Sequence, residues 1–136
     1  MADADCIFCK ILAHDLPGEF LWEEDETVAF MDINPWTRGH AVVIPRNHST
    51  DLLEISGADL AATAAGAQRL ARIQKERLGC DGVNLLNACG AAAWQTVFHF
   101  HIHSIPRYVN DPLQLPIRPQ QASPDELAEV AAELRG

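Results

Sequence analysis

Apolar and polar side chains alternate most regularly in residues 97–105, Val97-Phe98-His99-Phe100-His101-Ile102-His103-Ser104-Ile105. A period of two sends successive side chains to opposite faces of a strand. The pattern therefore predicts a strand with Phe98, Phe100 and Ile102 toward a core and His99, His101 and His103 on the other face. Residues 40–45 (His40-Ala41-Val42-Val43-Ile44-Pro45) are apolar almost throughout and predict a central strand. Residues 20–23 and 27–32 predict two short strands joined by the acidic turn 23–26, and residues 82–87 predict a further strand.

Residues 57–78 are rich in Ala, Leu, Arg and Gln, contain no proline and predict a helix. Ser56 and Asp59 make a capping-box-like start, and Gly79 is a stop. The stripe runs through Leu60, Ala64, Ala67, Leu70, Ala71, Ile73 and Leu78, and the helix carries no visible chemistry. Ser123-Pro124-Asp125-Glu126 announces a last helix, with Ser as N-cap and Pro at the first helical position. Its stripe is Leu127, Val130, Ala131 and Leu134. The order of elements predicts an α+β fold: an antiparallel sheet with a helix packed on one face and a C-terminal helix.

Composition narrows the picture. The 136 residues suit one domain, 1–136, with no repeat or linker to divide it. The net charge of −9 argues against a nucleic-acid partner, which would need a basic face. The charge is uneven: residues 1–32 hold nine acids against Lys10 alone, while the remainder is close to neutral. An anionic substrate is thus not repelled by the half that holds the histidines. No apolar run suits a membrane span and the acidic N-terminus lacks a signal-peptide layout, so a cytoplasmic protein with no membrane partner is expected. The four cysteines then suggest thiols or metal ligands rather than disulfides. Cys6-Ile7-Phe8-Cys9 alone admits a redox pair, half a zinc site or chance.

Three imidazoles on one strand face suggest chemistry, because such faces usually carry Thr, Lys or Glu. Alternate residues along a strand lie about 6.6–6.8 Å apart. One anion can touch two such rings, but three rings so spaced cannot share a metal with bonds of about 2.0–2.1 Å.

The histidine strand, Asp32-Ile33-Asn34-Pro35, Gly39-His40, Ile44-Pro45-Arg46-Asn47-His48, Asn87 and Gln95-Thr96 together resemble the histidine triad (HIT) family. The resemblance spans about residues 6–108, leaving 109–136 as a tail and helix without a family motif. It looks closest to the nucleotide-binding branch that hydrolyses nucleoside phosphoramidates. It implies a homodimer with one continuous sheet, a bound purine nucleotide (adenosine favoured), and transfer of that nucleotide through the middle histidine. His101 would be the nucleophile, with His103 donating to a phosphate oxygen. Asp32 would take the ribose hydroxyls, Gln95 and Thr96 the phosphate, and Asn87 the phosphate or ribose. Ile7, Phe8 and Ile33 would wall the base pocket. Some relatives also hold a structural zinc; the matching positions are Cys6, Cys9, His48 and His99. Cys80 and Cys89 remain as packed thiols, and His14 and His40 as surface or hydrogen-bonded residues. Relatives often have glycine where this chain has Trp94, a bulkier residue expected to reshape the leaving-group side. The alternatives are a dinucleoside polyphosphate hydrolase, or a zinc-stabilised nucleotide-binding module with little turnover.

Overall fold

The computed structural model describes residues 2–136. Its helices are α1 (Ile7–Leu12), α2 (Gly57–Leu78) and α3 (Pro124–Arg135), and its strands are β1 (Phe20–Glu23), β2 (Thr27–Met31), β3 (Ala41–Pro45), β4 (Gly82–Leu86) and β5 (Ile102–Arg107). The strands form one antiparallel sheet in the order β1-β2-β3-β5-β4. The fold class is the expected one. β3 is central, and all five of its residues are buried.

Both faces of the centre of the sheet are covered, which is why β3 is apolar throughout rather than alternating. On one face Val28, Phe30, Val42 and Ile44 pack with Ile11, Phe8 and Leu12 of α1. On the other, Ala29, Ala41 and Val43 meet Leu70 of α2. The sequence pattern had offered one packed helix and no structure for residues 7–12. A six-residue helix carries too few turns to show a period.

α2 begins where expected, with the Ser56 hydroxyl accepting from the Asp59 N–H at 3.1 Å. It ends at Gly79, in the left-handed region. Its buried stripe differs from the apolar one: Thr63, Gly66, Ala67, Leu70 and Gln74 face inward, while Ala64 is exposed. A Cβ on Gly66 would stand 2.8 Å from Val43 Cγ1, so glycine sets the approach of helix to sheet. Gln74 ties the helix to two backbone carbonyls, Gly39 at 2.9 Å and Ser104 at 3.1 Å.

The strand expected over 97–105 begins only at Ile102. Residues 97–99 bend, and Phe98 is exposed rather than in a core. Gln95 accounts for the bend: its amide donates to the carbonyls of Thr50 and Val97 and accepts from the Gly90 N–H. Only His103 among the three histidines lies in the sheet, paired with Val42 on the α1 face. Ile102 pairs with Val43 on the α2 face.

α3 has the expected cap, Ser123 accepting from the Glu126 N–H, but none of its residues is buried. Leu127, Val130 and Leu134 are exposed. Among the described residues, no helix is long and apolar enough to cross a membrane.

Gly39 sits at φ +91°, and a Cβ there would fall 2.2 Å from Leu78 Cδ1. Left-handed backbone costs about 1–2 kcal/mol for a side-chain-bearing residue, and overpacking about 1–3 kcal/mol more. Gly39→Ala should therefore lower unfolding free energy by about 2–5 kcal/mol in urea titrations; an unchanged midpoint would contradict this packing.

Candidate functional site

Two clusters of histidines meet between α1, the end of β3 and the segment leading into β5. The bend at 97–99 separates them, so the three triad rings do not share one surface.

The first cluster holds Cys6, Cys9, His48 and His99, whose ligand atoms all lie within 4.8 Å of one another. Cys6 caps α1, its sulfur accepting from the Cys9 N–H at 3.3 Å. The CxxC pair is thereby placed on the first turn of a helix, with both sulfurs on one side. His99 Nδ1 stands 3.5 Å from each sulfur and 3.2 Å from His48 Nδ1; His48 Nδ1 is 3.5 Å from Cys9 Sγ. Metal bonds of about 2.0–2.3 Å arranged tetrahedrally place donor atoms about 3.3–3.8 Å apart. The four separations named, 3.2 to 3.5 Å, lie at or close to that spacing.

The protons agree with it. His99 Nε2 donates to the Pro45 carbonyl at 2.9 Å, which leaves Nδ1 with a lone pair toward the sulfurs. His48 Nε2 lies 3.7 Å from the Asp3 carboxylate, where a proton is favoured, so its Nδ1 also presents a lone pair inward. Burial holds His99 down to about 4, in the neutral form that a metal ligand requires. The donor set therefore fits a zinc ion.

The second cluster is His101, His103, His40 and Asp32. His101 Nδ1 donates to the His99 carbonyl at 2.7 Å, so its Nε2 is an unprotonated nucleophilic nitrogen. Phe8 packs edge-on against its ring with centroids 5.0 Å apart. Asn87 holds the carbonyl of His101 itself, donating at 2.9 Å, and its own Oδ1 is buried without a partner. The His103 ring is 4.8 Å from that of His101. Burial, mainly, lowers both rings' affinity for protons, His103 to about 4; the nearby Asp32 opposes this.

His40, expected as a surface or hydrogen-bonded residue, is hydrogen-bonded and fully buried. Its Nε2 meets His103 Nδ1 at 2.9 Å, and Asp32 Oδ2 lies 3.5 Å and 3.6 Å from the two nitrogens. The signal for it was present in the sequence, where a histidine opens an otherwise apolar central strand. His14 is exposed and bonded to Glu23.

A cavity of about 480 Å³ opens beside the second cluster. Ile7, Phe8, Ile11, Leu16, Phe30 and Ile33 give it an apolar end; Asp32, Thr96, His101 and His103 give it a polar one. A larger hollow, about 690 Å³, lies over the acidic turn and is lined by Glu23, Glu24, Asp25, Glu26 and Thr27, without an apolar wall. Ile7, Phe8, Ile33, Asp32 and Thr96, which the resemblance gave to a nucleotide pocket, all line the cavity beside the second cluster. Gln95 does not line the cavity, since its amide is engaged with loop backbone. Trp94 does not line it either. It sits exposed at φ +77°, a backbone conformation that explains why glycine suits this position.

An unfolded histidine takes its proton near pH 6.5 and folded His103 only near 4. Between those values the unfolded chain binds more protons, so this residue's contribution to stability is whole above 6.5 and falls as pH drops toward 4. The His103 ring should accordingly show no titration midpoint between pH 5.5 and 8 by NMR; a midpoint near 6.5 would contradict its burial.

Residues 13–110 match the model of the HIT domain. The chain is 38% identical over 107 residues to the adenylylsulfatase HINT3 of Arabidopsis thaliana, covering 79% of this chain and 54% of that protein. Among solved structures, SMU.412c from Streptococcus mutans superposes with a TM-score of 0.93 at 33% identity, covering 98% of this chain and 85% of the other. A Zn-bound histidine triad family protein from Mycobacterium smegmatis matches with a TM-score of 0.78 at 38% identity over 96% of both chains. On the matched domain, the shared fold and the histidine pattern, the chain belongs to the HIT domain family.

Proposed function

We propose that this protein is a nucleotide-binding hydrolase or transferase that cleaves nucleoside 5′-phosphoramidates through a nucleotidyl-histidine intermediate on His101. The observation that carries the reading is the 2.7 Å bond from His101 Nδ1 to the His99 carbonyl, which leaves Nε2 free at a cavity. The cavity joins apolar walls, suited to a purine, to a polar end suited to ribose and phosphate. The relative from Arabidopsis that is an adenylylsulfatase supports nucleotide hydrolysis as the class of reaction.

In the first step the Nε2 lone pair attacks the α-phosphorus, and the bond from phosphorus to the leaving nitrogen breaks. The leaving amine departs with a proton taken from the medium. The His99 carbonyl steadies the cation formed on the His101 ring, because it already accepts from Nδ1–H. His103 offers a proton donor to a non-bridging phosphate oxygen. Water then attacks phosphorus and gives up a proton to the medium, the bond to nitrogen breaks, and neutral His101 is restored with release of the nucleotide. Asp32, which lines the polar end of the cavity, would accept from the ribose hydroxyls. Asn87 fixes the carbonyl of His101, and its free Oδ1 faces no protein donor. Gln95 acts on the loop rather than on the phosphate, and Thr96 remains as a donor at the polar end.

Zinc in this reading is structural: Cys6, Cys9, His48 and His99 supply four protein ligands and leave no open position. It would fix α1 to the segment that carries His101. A homodimer is part of the proposal too. β4 is an edge strand with Leu85 exposed, which offers backbone groups and an apolar side chain to a second copy.

His101→Ala should abolish turnover with an unchanged circular dichroism spectrum. Rapid quenching with an α-phosphate-labelled adenosine phosphoramidate should trap the label on His101; full activity in the variant, or label elsewhere, would refute the mechanism. Assaying a diadenosine polyphosphate alongside separates the other leaving group, and binding of adenosine monophosphate without hydrolysis of either would favour the module with little turnover.

For the metal, elemental analysis of the purified chain should find close to one zinc per protomer, and Cys9→Ser should lose the metal together with thermal stability. A metal-free protein of equal stability would remove the site.

A further inference from the structure

Of the four residues that cluster as metal ligands, three are held by the body of the fold. Cys6 caps α1, Cys9 lies in its first turn, and His99 Nε2 donates to the Pro45 carbonyl at 2.9 Å. His48 differs. Its Nδ1 faces Cys9 Sγ, and among the described residues the group opposite its Nε2 is the carboxylate of Asp3, at 3.7 Å. It is also the one ligand of the four that is not buried. A hollow of about 290 Å³ lies on this side, with Asp3, Cys6 and His48 in its lining. Water or a competing ligand reaches the cluster from there.

Asp3 belongs to the turn that leads into α1. Aspartate suits the first position of a turn, because its carboxylate accepts from the backbone two residues on. Asp3 Oδ1 accepts from the Asp5 N–H at 2.9 Å, and the Asp3 carbonyl accepts from the Cys6 N–H at 3.1 Å. With Oδ1 so engaged, Oδ2 is the oxygen that faces His48. The amide of the same residue donates to Cys9 Sγ at 3.3 Å. Each sulfur thereby accepts one backbone N–H, Cys6 from Cys9 and Cys9 from Asp3. Such a bond is stronger to a thiolate than to a thiol, so it favours the form that binds metal.

We propose that Asp3 is a positioning residue for the metal: its carboxylate holds His48 and its amide holds Cys9, so that the segment before α1 sets how slowly bound zinc is lost. The proposal rests on the zinc reading of the four ligands. An imidazole that ligates through Nδ1 is more positive at its Nε2–H, so the carboxylate attracts it more strongly in the loaded site than in the metal-free one. Asp3 therefore favours the loaded site and opposes the departure of His48, the ligand nearest to solvent.

A residue that only shaped the turn would need Oδ1 alone. Asparagine supplies that acceptor, yet sets a neutral amide opposite His48 Nε2, so Asp3→Asn separates the two roles.

The test follows transfer of zinc from the loaded full-length protein to a chromogenic chelator. Asp3→Asn should release zinc about ten-fold faster or more, as is usual when the outer partner of a metal-bound histidine is lost. Asp5→Asn makes the same change of charge two residues on, and should release zinc at the wild-type rate. In nitrogen-15 NMR of the zinc-loaded chain, the His48 Nε2–H signal should be sharp in the wild type and broadened by exchange with water in Asp3→Asn. Zinc uptake by the wild type with unaltered release from Asp3→Asn would overturn the proposal and leave the site standing. Equal acceleration by Asp5→Asn would overturn it too, because general charge would then explain the effect. A wild type that takes up no zinc would remove the site, and the proposal with it.

Discussion

The site depends on backbone groups choosing which nitrogen of each imidazole keeps its proton. A neutral histidine is ambiguous: either nitrogen can donate, and the other accepts. Carbonyls and amides are not ambiguous. The Pro45 carbonyl takes the Nε2 proton of His99, the His99 carbonyl takes the Nδ1 proton of His101, and the Trp36 amide gives a proton to Nδ1 of His40. From those three bonds follow a ring that can bind metal, a ring that can attack phosphorus and a ring that donates to its neighbour. Burial reinforces the choice by disfavouring the charged forms, in which both nitrogens would donate and the distinction would vanish.

The fold exists to hold those backbone groups still. β3 brings the Pro45 carbonyl to His99 at one end and starts beside His40 at the other, so one buried strand serves both clusters. Its position at the middle of the sheet, covered by α1 and α2, removes the freedom that an edge strand would have. α1 is too short to be stable alone. Its place is set by Phe8 and Ile11 against the sheet and by Cys6 and Cys9 beside His48 and His99. The same helix supplies Ile7 and Phe8 to the cavity, which links the cysteine–histidine cluster to the pocket through a single short helix.

Gln74 and Gln95 show how neutral polar residues act at a distance from chemistry. Each is buried, and each has its amide engaged with backbone carbonyls rather than with the cavity. Gln95 bends residues 97–99, and the bend turns His99 toward the cysteines while His101 faces the cavity. Gln74 secures the strand ends that carry His40 and His103. An inward-facing glutamine on a long helix has no distinctive sequence pattern, and its neighbours Ile73 and Leu78 had suggested an apolar stripe instead.

Period and composition alone determined much of this protein: four of the five strands near their observed bounds, the two capped helices and the apolar central strand, while the family resemblance singled out the four residues Cys6, Cys9, His48 and His99 that cluster. These are readable because they rest on local rules of alternation, capping and turn formation, or on residue types with few other uses. The tertiary structure alone decided the rest. Alternation over 97–105 looked like one strand with three equivalent imidazoles, but pairing starts at Ile102, because a strand needs a hydrogen-bonded neighbour that the pattern cannot supply. α1, the buried His40, the bend at Gln95 and the uncovered stripe of α3 all depend on contacts between residues far apart in the chain. Above all, which nitrogen of a histidine bears its proton is a property of the group placed opposite, and that group is backbone, invisible in the identity of any residue.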